Sequence, residues 1–83
     1  MKLTVRYFAS IREALGASET LDAPDGLTVG GVRDVLIAKG GARTAALARS
    51  RALRSALNQV LCDEVAPVPD GAELAFFPPV TGG

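Results

Sequence analysis

Asp70-Gly71-Ala72-Glu73-Leu74-Ala75-Phe76-Phe77-Pro78-Pro79 is the stretch in which the sequence declares both a sheet and its limit. Asp70-Gly71 is a turn pair, since Gly takes positive φ without steric cost and Asp bonds its own backbone. From Glu73 to Phe77 the side chains alternate, which puts Leu74 and Phe76 on one face and Phe77 on the other. Pro78 and Pro79 cannot donate ladder hydrogen bonds and hold the chain extended, so the strand must stop at Phe77. Residues 1–77 therefore read as one folded domain and residues 78–83 as an extended tail.

Working back from this strand, Pro67 and Pro69 break the preceding loop. Leu53 to Leu61 reads as one strand, with Leu57, Gln59 and Leu61 on one side and Ala56, Asn58 and Val60 on the other. Residues Ala42 to Arg54, rich in Ala and Arg, suit a short helical piece. Thr28 caps a longer helix, in which Val32, Val35, Leu36 and Lys39 keep helical spacing until Gly40-Gly41 stop it. Gly30 and Gly31 lower helix propensity in its first turn by nearly 1 kcal/mol each relative to Ala, so that end is expected to fray. Nearer the start, Leu3, Val5 and Tyr7 alternate with Thr4, Arg6 and Phe8 as in a strand. Ser10, with Glu13 three residues on, reads as the cap of a short helix ending at Gly16. Glu19 to Leu21 is a second strand, closed by Pro24-Asp25-Gly26.

The order strand, strand, helix, strand, strand predicts an α+β fold. A mixed sheet packs on one principal helix with short helical additions, and a β-grasp roll fits best. Eighty-three residues suffice for one small core, and 48% are hydrophobic, although aromatic content is low at three Phe, one Tyr and no Trp. Nine Lys and Arg balance nine Asp and Glu, which gives no whole-molecule reason to expect nucleic acid or a membrane surface as a partner. The charges are uneven: Lys39, Arg43, Arg49, Arg51 and Arg54 precede Asp63, Glu64, Asp70 and Glu73. Such a pattern reads either as an ordinary solvated surface or as one sign facing a protein partner.

With one cysteine, Cys62, and no histidine, there is no Ser-His or Cys-His pair and no His-based metal site; no metal ligand set is expected. The lone thiol fits a reducing cytoplasm, and Met1-Lys2-Leu3-Thr4 opens no apolar run suited to a signal or a membrane helix. Cys62 itself is expected to pack as a small hydrophobe.

Alternation also marks residues the core cannot use. With Leu3, Val5 and Tyr7 inward, Phe8 falls outside; with Leu74 and Phe76 inward, so does Phe77. If Ala56, Asn58 and Val60 share a face, Leu61 belongs to the opposite one, though Leu57 and Leu61 are equally readable as an inward pair. Phe8, Leu61 and Phe77 are thus candidates for one exposed patch that binds a partner protein; scattered surface hydrophobes are the plainer alternative.

Beyond Pro78-Pro79 the chain continues Val80-Thr81-Gly82-Gly83. From Pro78 it can reach roughly 20 Å when extended. Val80 and Thr81 retain side chains for contact, whereas Gly82 and Gly83 have none. Such an end can thread a narrow channel and bring a carboxylate to a reactive centre in another protein.

The run from Asp70 to Gly83, with its Phe-Phe-Pro-Pro-x-x-Gly-Gly ending, closely resembles the C-terminal signature of the molybdopterin synthase small-subunit family. Tyr7-Phe8-Ala9 followed by Ile11-Arg12-Glu13, and Leu57-Asn58-Gln59, extend the resemblance along the chain. It implies a ubiquitin-like β-grasp fold and a sulfur carrier with no catalytic side chains of its own. An E1-like adenylating enzyme, using ATP, would activate the Gly83 carboxyl next to Gly82, and a sulfur donor protein would displace AMP to leave a thiocarboxylate. No cofactor is expected on this chain. The tail, Pro78 to Thr81 included, would then enter the large subunit of a heterotetrameric synthase. There its sulfur attacks a pterin precursor, and two transfers build a dithiolene. The family's hydrophobic docking surface matches Phe8, Leu61 and Phe77. Two other fates of a Gly-Gly end stay open: a thiamin-type sulfur carrier, and a ubiquitin-like modifier that joins Gly83 to lysines.

Overall fold

The computed structural model describes residues 1–79. In chain order it contains β1 (Lys2–Tyr7), α1 (Ala9–Leu15), β2 (Ser18–Asp22), α2 (Val29–Ala38), α3 (Ala42–Ala46), β3 (Arg54–Leu57), β4 (Val60–Cys62) and β5 (Glu73–Phe77). The strands form one sheet in the order β2-β1-β5-β3-β4. Strands β1 and β5 run parallel, from Thr4 opposite Glu73 to Tyr7 opposite Phe76, and the other pairs are antiparallel. This is the β-grasp arrangement that the element order predicts, ubiquitin-like as the family resemblance implies.

Alternation acts as expected in β1 and β5. Leu3, Val5, Tyr7, Leu74 and Phe76 are buried and meet Val29, Val32 and Leu36 of α2 in a single core with Ile11, Leu47 and Val68. Full burial of such a side chain contributes about 1.5–3 kcal/mol, so this inner face supplies most of the driving force for folding.

Three local readings need correction. Ser10 is not the cap of α1: the helix begins at Ala9, the capping position is Phe8, and no side chain bonds there. The chain leaves β1 by an extended Phe8 followed by Ala9 at φ 53°, a turn sharper than a Ser cap provides. Gly16 does end the helix, at φ 91°, donating to the Arg12 carbonyl at 2.8 Å.

The first turn of α2, expected to fray, is pinned instead. Thr28 accepts from the Gly31 N–H at 3.1 Å, as read from sequence. The Val29 and Gly30 N–H groups donate to the Ala66 and Glu64 carbonyls, each at 2.9 Å, so the donors a helix start usually leaves open are satisfied. Gly30 suits this approach: a Cβ there would lie 3.1 Å from the Glu64 carboxylate and 3.3 Å from the Arg49 guanidinium, so those side chains would have to shift.

The stretch Leu53 to Leu61 is not one strand but a hairpin. Asn58 (φ 48°) and Gln59 (φ 69°) turn the chain between β3 and β4. Both turn residues need positive φ, which matches the right-handed twist of the strands they join. The turn reverses parity, so Ala56 faces Leu61 across the ladder on the outer side. Leu57 pairs with Val60 and, through Leu74, belongs to the inner side. Leu61 does lie outside, with 66% of its surface exposed, but Ala56 shares its face instead of opposing it.

Candidate functional site: the outer face of the sheet

The outward side chains of the central strands form a row at one level of the sheet. Arg6 pairs with Ala75, Ala75 with Ala56, and Ala56 with Leu61, crossing β1, β5, β3 and β4. Because Ala75 and Ala56 offer only a Cβ to this face, the row sags in the middle and rises at its ends. The result is a shallow depression of about 510 Å³ whose apolar walls are Phe8, Phe77 and Leu61.

Each wall residue is outside for its own reason. Phe77 follows the inward Phe76 by one position and remains only half-buried. Phe8, 37% exposed, sits where β1 gives way to α1. Its ring meets that of Phe77 edge to face, with centroids 6.5 Å apart and planes at 86°. Such a pair is worth about 0.5–1.5 kcal/mol beyond the area it covers, which helps hold two aromatic rings at a wet surface. Leu61 stands opposite on β4, the edge strand. The three expected patch residues thus line one depression.

Two polar features frame it that the sequence reading did not single out. The Arg6 Nη1 donates to Glu73 Oε1 at 3.3 Å, and the Arg6 guanidinium carbon lies 5.5 Å over the Phe8 ring. Gln59 projects from the hairpin turn onto the same rim. Its signal was present in the Leu57-Asn58-Gln59 match but needed the turn to be recognised. Pro78 and Pro79 follow Phe77 directly and are half-buried, so the chain leaves the sheet beside the aromatic pair. Val80, Thr81, Gly82 and Gly83, the remaining tail residues named above, lie outside the described residues.

Two members of the basic stretch, Arg43 and Arg49, are occupied within the chain. Arg43 donates to both Glu19 carboxylate oxygens, at 2.6 and 3.0 Å, and the Tyr7 hydroxyl donates to Glu19 at 2.6 Å. The Arg43 bonds hold the Glu19 carboxyl below its usual pKa, against burial, with help from Tyr7. Burial and then the Glu19 charge push the Tyr7 hydroxyl upward, so it stays a donor. Arg49 bonds Asp34, Glu64 and the Gly30 carbonyl. Burial would raise Glu64, but Arg49 and Arg33 together outweigh it and keep that carboxyl low. Cys62 is half-buried against the core with its sulfur 3.7 Å from the Ser55 hydroxyl, as a small hydrophobe would pack. Among the described residues, no group of three or more His, Cys, Asp or Glu is placed to hold a metal ion. Nor is any helix among them long and apolar enough to cross a membrane.

The family model described as the ThiS family matches residues 5–83. The molybdopterin synthase sulfur carrier subunit of Escherichia coli is 41% identical over 81 residues, covering 98% of this chain and 99% of the relative. Among solved structures, SAMP1 from Haloferax volcanii aligns with a TM-score of 0.79 at 26% identity over the full length of both chains. A chain in the complex of subunits 1 and 2 of molybdopterin-converting factor from Helicobacter pylori aligns with a TM-score of 0.67, also at 26% identity and covering both chains completely.

Proposed function

We propose, from the premise that this chain belongs to the ThiS family, that it is the sulfur carrier subunit of a molybdopterin synthase. The observation that carries the reading is the 41% identity to the Escherichia coli sulfur carrier subunit across 98% of the chain. The outer face supports it: an apolar depression lies beside the point where Pro78-Pro79 leaves the sheet. A partner that covers Phe8, Leu61 and Phe77 would receive the tail at the same time.

In this reading the fold is a handle and the tail is the working part. A carboxylate is a poor electrophile, so an E1-like adenylating enzyme first uses ATP to turn the Gly83 carboxyl into an acyl-adenylate. Sulfur from a donor protein attacks the acyl carbon, AMP departs, and a thiocarboxylate remains. The large subunit binds the outer face in a heterotetramer, and Gly82 and Gly83 present no side chain to obstruct the channel. There the sulfur is transferred to a pterin precursor, two transfers making the dithiolene that binds molybdenum. The chain supplies no acid, base or nucleophilic side chain to that step, and it works in the cytoplasm.

The test is intact mass after incubation with ATP, the cognate adenylating enzyme and a sulfide source. Exchange of one oxygen for sulfur, absent when Gly83 is deleted, is the expected result. An unchanged mass beside a control carrier that is charged would overturn the sulfur role. Isopeptide-linked conjugates to lysines, with no thiocarboxylate, would instead make the chain a protein modifier.

A further inference from the structure

We propose that Gln59 is a specificity-determining residue of the outer face, whose carboxamide hydrogen-bonds a main-chain peptide group of the large subunit. The inference rests on the docking reading above and adds to it a polar contact.

The turn itself raises the question. Asn58 and Gln59 both hold positive φ, at 48° and 69°. Asn is at home in that region, but the second position of such a two-residue turn is one that glycine fills without strain. A side chain there costs about 1 kcal/mol relative to Gly. Asn58 is fully used by the fold: its Oδ1 accepts from the Glu73 N–H at 3.0 Å, and its own N–H donates to the Glu73 carbonyl at 2.8 Å. Gln59 is exposed, and among the described residues its carboxamide makes no hydrogen bond. The fold thus carries a strained side chain that it does not use.

That side chain lines the apolar depression together with Leu61 and Phe77. Of the polar groups around the depression, Arg6 and Glu73 bond each other. Among the described residues, Gln59 contributes the one uncharged hydrogen-bonding side chain of the lining. A partner that covers the patch strips water from main-chain groups at its edge, and a buried unpaired group is costly. A carboxamide offers an acceptor and two donors in one plane, which suits both the N–H and the C=O of a peptide strand. An apolar side chain at this place would leave both unsatisfied.

The experiment titrates the full chain into the cognate large subunit by calorimetry, alongside thermal denaturation of each variant. Gln59→Gly should raise the melting temperature by relieving the turn, yet weaken binding about fivefold or more. Gln59→Met, which keeps the bulk and removes the amide, should weaken binding to a similar extent. Phe77→Ala, as the control on the docking face, should lose binding altogether. If Phe77→Ala loses binding while either Gln59 variant binds within about twofold of the parent, the role of Gln59 is wrong and the docking face stands. If Gln59→Gly melts lower than the parent, the strain argument falls. Unimpaired binding by Phe77→Ala would overturn the docking reading itself, and this inference with it.

Discussion

Phe8, Leu61 and Phe77 are hydrophobic residues left outside the core by three separate local events. Strand parity places Phe77, the strand-to-helix junction places Phe8, and the hairpin turn places Leu61. Only the first two could be argued from alternation. For Leu61 alternation leaves both faces open, because Asn58-Gln59 is not the Asn-Gly pair that announces a tight hairpin. Being 66% exposed, Leu61 contributes little to folding, so its substitution separates stability from binding. Leu61→Ser should change stability by less than about 0.5 kcal/mol, as surface substitutions do. It should weaken binding to the large subunit by roughly tenfold or more, read by denaturation and titration respectively.

At the scale of elements, the Arg-rich stretch has a structural answer that its sequence does not advertise. Arg33 of α2 is buried, with only 3% of its surface exposed. Its guanidinium donates to the Leu47, Ala48 and Arg51 carbonyls at 2.8, 2.5 and 2.9 Å, and to Glu64 at 2.6 Å. One side chain thereby ties the principal helix to the irregular segment after α3 and to the loop after β4. A planar guanidinium with five donors in fixed directions can do this where a lysine cannot. Arg33→Met should remove about 3–5 kcal/mol of stability, since it takes the guanidinium's donors away from three carbonyls and leaves Glu64 to Arg49. Urea denaturation measures this directly, and a loss under about 1 kcal/mol would show that the segment holds itself. Backbone bonds from Val29 and Gly30 to Ala66 and Glu64 explain the pinned start of α2: propensity lowered by Gly30-Gly31 is a local quantity, and tertiary hydrogen bonds override it.

For the molecule as a whole, acid should be the weak side. Glu19 and Glu64 both titrate below the ordinary value of 4.5 in the folded chain. A carboxylate with a lowered folded pKa contributes stability that is present above its unfolded value and is lost as pH falls toward the folded one. The melting temperature should therefore hold from neutrality to about pH 5 and decline below it. Glu19→Gln should cost about 1 kcal/mol at neutral pH, and the gap to the parent should narrow as pH falls below the ordinary carboxylate value, because protonation then removes the parent's charge as well. A constant gap across that range would exclude this ionisation as the cause. At the alkaline end the sign reverses. The Tyr7 hydroxyl is raised above its usual 10, so its contribution is intact below that pH and fades above it.

Without any tertiary information, the sequence determined the α+β class, the inward faces of β1 and β5, the cap and end of α2, and the strand stop at Phe77. These rest on periodicities and on Pro, Gly and Thr chemistry that act over a few residues. Tertiary structure alone decided that β3 and β4 form a hairpin, that Arg43 and Arg49 are spent on acids of this chain, and that Ala56 and Ala75 hollow the outer face between Phe8, Phe77 and Leu61. Each of those outcomes depends on residues brought together from distant parts of the chain. No local pattern encodes which strand lies beside which, and a depression exists only once strands β1, β5, β3 and β4 lie side by side.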